Sequence, residues 1–107
     1  MTDKLFARVP SRTGQWTVFQ NKVWRHINEY ANVQYGNREG EDQVTDWSAE
    51  DCFKAIEKYI NRRRTSVRGN KERLRDLFKI AHYAQLAYDK LRDELNEPDV
   101  YEANDAD

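Results

Sequence analysis

Between Arg62 and Arg75 the sequence RRRTSVRGNKERLR puts seven cations into 14 residues: Arg62, Arg63, Arg64, Arg68, Lys71, Arg73 and Arg75. Like charges this close repel one another unless something acidic screens them. Glu72 and Asp76 offer local partners, and with them the cluster reads as a solvated corner. Without enough local partners it reads as a surface for phosphates or clustered carboxylates. A second candidate chemistry lies in the acids. Glu50, Glu57, Glu72 and Asp76, on two neighbouring helices, are the set that would converge on Mg²⁺, with Asp51 beside them. The competing reading is a set of solvated helix faces. Cys52 stands on an apolar stripe and reads as a reduced core thiol, since no base or further ligand is spaced to activate it. His82 follows Asp76 by six residues and reads as a partly buried, hydrogen-bonded histidine, while His26 looks like a helix-surface position. The chain holds no HExxH, CxxC, GxSxG or glycine-rich phosphate loop.

These residues need elements to position them. Ser48 followed by Glu50 and Asp51 is a helix start: a hydroxyl to cap free N–H groups, then acids in the first turn. Cys52, Phe53, Ile56, Tyr59 and Ile60 follow at three- and four-residue spacing, which is one helical stripe. Trp47 precedes the cap and is placed to staple onto Cys52 or Phe53. Arg62–Arg64 suit the negative end of that helix. Gly69 allows a positive φ, and Asn70 is expected to cap the next helix. Its stripe is Leu74, Leu77, Phe78, Ala81, Ala84, Ala87 or Tyr88, and Leu91, with Pro98 as a stop. Upstream, Trp16, Phe19, Val23, Ile27 and Tyr30 keep helical spacing, with Thr13 as the expected cap and Gly36 as the expected end. The expectation is an all-α fold: a three-helix arrangement with a C-terminal helical hairpin and a disordered acidic tail. Its parts are an arm over 1–12, one helical domain over 13–96 and the tail over 97–107.

A chain of 107 residues with 38% hydrophobic and 35% charged residues, four Gly and two Pro suits a small helical bundle rather than a sandwich or barrel. One cysteine permits no internal disulfide, in keeping with a reducing cytoplasm. No apolar run approaches a membrane span and no signal-peptide pattern opens the chain. The net charge of -1 conceals a separation. Residues 1–92 hold all 18 bases and 12 of the 19 acids, a sum of +6, and residues 93–107 hold the other seven acids. Residues 58–79 alone carry nine bases against Glu72 and Asp76. Separation of this kind concerns partners, because a fold does not require it. It predicts that the acidic tail screens the basic corner until a partner displaces it. Three Trp, six Tyr and four Phe exceed what three short helices hide. That excess predicts a homodimer, expected through the first and third helices.

The strings CFKAIEKYINRR and RDLFKIAHYAQLAYDKL, joined by a basic turn, resemble small helical proteins of phages and prophages. Those carry one helix reading K-Y-I-x-R and another reading D-L-x-x-I-A-H/N-Y-A. The Tyr35–Gly36 pair followed by Trp47 is similar too, and the resemblance covers about residues 16–91. Some of these proteins in turn resemble the all-α nucleotide pyrophosphohydrolases of the MazG and phage dATP/dGTP diphosphohydrolase kind. That resemblance implies Mg²⁺ held by E-x-x-E on one helix and E-x-x-D on the next. This sequence departs from the pattern: it offers Glu50, Asp51 and Glu57, then Glu72 and Asp76, and only Asp76 carries over.

The reading that follows is a non-enzymatic helical binding module of phage or prophage type, cytoplasmic, engaging an acidic macromolecular partner. That partner is nucleic acid or a host protein, and an inhibitor or regulator of a host system is one form of it. The alternative is a divergent Mg²⁺-dependent nucleotide pyrophosphohydrolase. The two separate in one assay: dNTPs incubated with Mg²⁺ are expected to release no pyrophosphate. Release that disappears in Asp76→Ala would establish the alternative.

Overall fold

A computed structural model describes residues 11–30, 43–65 and 68–101. The elements are helix α1 (Arg12–His26), a 3₁₀ turn (Gln43–Asp46), helix α2 (Ala49–Asn61), a 3₁₀ turn (Arg62–Arg64) and helix α3 (Asn70–Leu95). The fold is all-α, with no strand among the described residues. The chain divides into two compact units, Met1–Glu41 and Asp42–Asp107. No helix among the described residues is long and apolar enough to cross a membrane.

In the first unit α1 begins one turn earlier than its apolar pattern suggests. The cap is Ser11, whose Oγ accepts from the Gly14 N–H at 3.1 Å. Thr13 is therefore inside the helix, where its hydroxyl bonds Ser11, and it is not the cap. Thr17 spends its hydroxyl on the Thr13 carbonyl at 2.9 Å. Residues 27–30 widen into a π-type turn. Arg25 pairs with Glu29 at 2.8 Å along this end of the helix, which raises the Arg25 pKa first through that hydrogen bond. His26 is buried and stacks on Tyr30 with centroids 5.3 Å apart, so it is not the surface position expected of it. The expected end at Gly36 lies outside the described residues.

In the second unit α2 starts where the sequence puts it. Asp51 N–H donates to Ser48 Oγ at 3.2 Å, and Ser48 N–H donates back to Asp51 Oδ2 at 2.9 Å, a reciprocal capping box. The Ser48 backbone bond is the main reason the Asp51 carboxyl sits below the usual carboxylate range. The turn into α3 depends on Gly69, with φ 88°. A Cβ there would meet no neighbour, so the constraint is the backbone conformation itself. Gly69 is the cap residue and Asn70 the first helical residue, so the cap lies one residue before the expected Asn70. α3 ends in a Schellman motif: Glu97 N–H bonds the Arg92 carbonyl at 3.0 Å and Asn96 N–H the Asp93 carbonyl at 3.1 Å. Asn96 takes the left-handed conformation (φ 55°) and Pro98 follows two residues on.

The two helices run antiparallel, as side-chain contacts at both ends show. Glu94, near the end of α3, accepts the Ala49 N–H at the start of α2 at 2.7 Å. At the other end Arg62 reaches Asp76. Fully buried apolar residues among those described are small: Ala49, Cys52 and Ala87. Between the helices run flat rings. Trp47 stacks on Tyr83 at 5.8 Å, and Tyr83 on Tyr59 at 5.8 Å. Trp47 thus packs on α3. The face α3 turns to α2 holds Asp76, Lys79, Ile80, Tyr83, Ala87, Lys90 and Glu94. It is not the expected stripe, of which Leu74, Leu77, Ala84, Tyr88 and Leu91 stay exposed. The start of the acidic stretch is tied down instead of disordered: Tyr88 OH donates to Asp99, and Val100 N–H donates to the Tyr88 oxygen at 3.1 Å. Residues 102–107 lie outside the described residues.

Ser48→Ala is expected to lower stability by about 1 kcal/mol, read as a lower thermal midpoint by circular dichroism. The same cap carries a pH dependence. Asp51 has a lowered folded pKa, so its contribution is whole above the ordinary carboxylate range and is lost as pH falls through the lowered value. Ser48→Ala keeps the backbone N–H that lowers Asp51, so acid should destabilise wild type and Ser48→Ala alike and should narrow the gap between wild type and Asp51→Ala.

Candidate basic corner and the Asp76 pocket

The corner is built where α2 gives way to its 3₁₀ turn and α3 begins. Helical spacing puts Tyr59 and Arg62 on the same side of that end, and Asp76 and Lys79 on the facing side of α3. Asp76 is only 7% exposed. Its Oδ1 lies 3.7 Å from Arg62 Nη1 and 3.6 Å from Lys79 Nζ. Both distances are ion-pair separations longer than a hydrogen bond, and Oδ1 has no hydrogen-bond partner among the described residues. The two cations also lie over the Tyr59 ring, the Arg62 guanidinium 4.8 Å and Lys79 Nζ 5.2 Å from its centroid, with Lys58 at 5.6 Å. The quadrupole of the ring and the charge of Asp76 together hold two cations against the hairpin seam.

The seven sequence-predicted cations divide into two groups. Arg62 pairs with Asp76. Arg68 and Arg75 pair with Glu72, Arg68 at 3.1 Å. The Glu72 carboxyl is held below its usual range, first by the Arg75 hydrogen bond. Arg63, Arg64, Lys71 and Arg73 make no ion pair among the described residues. Arg63 donates to the Ile60 carbonyl at 3.0 Å, which closes the end of α2 without neutralising the charge. Local acids therefore account for three of the cations and leave four.

Beside them lies a pocket of about 440 Å³. Tyr59, Ile60, Leu74, Leu77 and Ile80 line it together with the polar Arg63, Asn70, Arg73 and Asp76. Sequence reasoning did not find this pocket. The signal was the polar Asp76 in line with Lys79 and Tyr83, a face that an apolar count passes over.

The expected alternative, Mg²⁺ held by Glu50, Glu57, Glu72 and Asp76, needs a correction. Among the described residues no three His, Cys, Asp or Glu side chains converge. Glu50 and Glu57 are exposed on α2, Glu72 is engaged by arginines, and Asp76 faces Arg62 and Lys79. Cations already occupy the field that a metal ion would need. His82 stacks on Tyr83 at 6.1 Å and is partly buried. Cys52 is fully buried, and burial pushes its thiol pKa up, which disfavours the thiolate that a nucleophile or ligand requires. Comparison with protein families, with curated proteins and with solved structures yields no match for this chain.

Removing Asp76 leaves Arg62 and Lys79 uncompensated at the helix seam. Asp76→Ala is expected to cost about 3 kcal/mol, the scale of breaking a buried pair from one side. Urea unfolding checks this, and the double variant Asp76→Leu with Lys79→Leu should recover part of the loss.

Proposed function

We propose that this chain is a non-enzymatic helical binding module whose basic corner engages an acidic macromolecular partner. The observation that carries the reading is the set of cations left over. Arg63, Arg64, Lys71 and Arg73 stand together at one helix junction with no ion pair among the described residues. Four uncompensated cations in so small an area raise the local potential and favour an anionic surface over solvent ions. Phosphates along a nucleic acid and carboxylates on a host protein both meet this requirement. Arg63 and Arg73 in the lining of a largely apolar pocket favour a partner that presents acids beside an apolar side chain.

The motif resemblance noted above supports placing the module among phage or prophage proteins, acting in the cytoplasm as an inhibitor or regulator of a host system. No comparable observation supports the Mg²⁺ pyrophosphohydrolase reading, whose acids are dispersed or engaged.

The experiment is a salt titration of binding to duplex DNA and to an acidic, leucine-containing peptide. Changing Arg63, Arg64 and Arg73 together to Ala is expected to weaken binding to both. For DNA the log–log salt slope should fall by about one per lost phosphate contact. Equal and negligible binding by wild type and variant would reduce the corner to a solvated helix junction.

A further inference from the structure

A face of α3 distinct from the Asp76–Tyr83–Ala87 face carries Leu74, Leu77, Ala81, Ala84, Tyr88, Leu91 and Leu95. The intervals alternate three and four without a break, the a/d spacing of a coiled-coil seam. Leu74 is 61% exposed, Leu77 52% and Leu95 60%, and Ala84, Tyr88 and Leu91 are exposed as well. Three heptads of this pattern therefore carry apolar side chains that stay exposed.

We infer that this seam pairs with the same seam of a second copy, antiparallel, about a centre between His82 and Tyr83. Two features of the chain point to that occupant and that direction. First, the seam is complementary to itself when reversed. Leu74 then meets Leu91 of the second copy, Leu77 meets Tyr88, and Ala81 meets Ala84. Every a position faces a d position, large residues fill both ends, and alanines at the centre let the two axes approach closely. Secondly, the charges of the two ends are opposite. Residues 70–82 hold four bases and two acids, while residues 83–99 hold five acids and two bases. A parallel pair would set like ends together. The antiparallel pair sets Asp93 and Glu97 of one copy near Lys71 and Arg73 at the start of the other's α3.

The pocket at the corner fits the same arrangement. Leu74 and Leu77 belong both to its lining and to the seam. Leu91 and Tyr88 of the second copy would close over it. The acidic stretch then screens the basic corner of its neighbour, in trans. This inference stands whether or not the corner also takes an external partner.

Sedimentation velocity on the full chain across the micromolar range tests the assembly. A concentration-dependent dimer is expected. Ala84→Glu should weaken it about tenfold or more, because a charge enters the centre of the seam. Ala84 lies off the α2 face and Glu is a good helix former, so the helical circular dichroism should be unchanged. Direction is tested by mixing Leu74→Cys and Leu91→Cys chains under mild oxidation, with Cys52 buried and out of reach. Mixed 74–91 disulfides are expected. A monomer at tens of micromolar, a dimer indifferent to Ala84→Glu, or a predominance of 74–74 and 91–91 products would each overturn the proposal. A monomer whose seam amides are protected from exchange would give that seam to another segment of the same chain.

Discussion

Two helices share one line of contact, and α2 and α3 have little apolar volume to put on it. Ala49, Cys52 and Ala87 are small. The hairpin therefore relies on area supplied by rings and on charges trapped at one end. The Trp47–Tyr83–Tyr59 stack supplies flat, rigid surface, with each ring pair contributing about 0.5–1.5 kcal/mol beyond its burial. Asp76 closes the stack at its cationic end. An unpaired carboxylate this deeply buried is costly, and so are two cations without it. Each side makes the other tolerable, and the geometry of the corner is a consequence.

That constraint explains which parts of the fold were legible in the sequence. The ends of α2 and α3 follow local rules that act within four residues: Ser48 with Asp51, the positive φ of Gly69, and Pro98 as the stop beyond α3. Such signals survive in isolation. The face by which α3 meets α2 does not follow such a rule. An apolar count selects Leu74, Leu77, Ala84, Tyr88 and Leu91, because those are the greasiest positions at helical spacing. The helix instead turns Asp76, Lys79, Tyr83 and Lys90 inward, where aromatic faces and backbone groups of α2 and its approach receive them. Lys90 reaches the Thr45 carbonyl at 3.3 Å, for example. Polar residues that pack through rings and carbonyls are invisible to a hydrophobicity pattern. His26 was misread for the same reason, since its burial comes with a stack on Tyr30.

The candidate site was legible in position but not in composition. Seven clustered cations pointed to the junction where α2 gives way to α3. Sequence could not say which of them were already spoken for, because pairing depends on rotamers and on the depth of Asp76. Glu72 alone takes two arginines, one four residues before it and one three residues after. Asp76 takes Arg62 from another element altogether. What distinguishes Arg63, Arg64, Lys71 and Arg73 is thus a property of the tertiary structure. The acids proposed for a metal do not converge among the described residues: cations engage Glu72 and Asp76, while Glu50 and Glu57 are exposed on α2.

The position of Cys52 has a consequence for how often the hairpin comes apart. Its side chain is wholly enclosed at the contact line, so no oxidant or alkylating reagent touches the sulfur while α2 lies on α3. Chemical capture of that thiol happens only in the moments when the helices separate. A molecule trapped in that way cannot close again, since the added group has no room. Prolonged oxidative exposure would thus convert transient partings into permanent loss of the hairpin, at a rate set by the opening equilibrium rather than by the intrinsic reactivity of the sulfur.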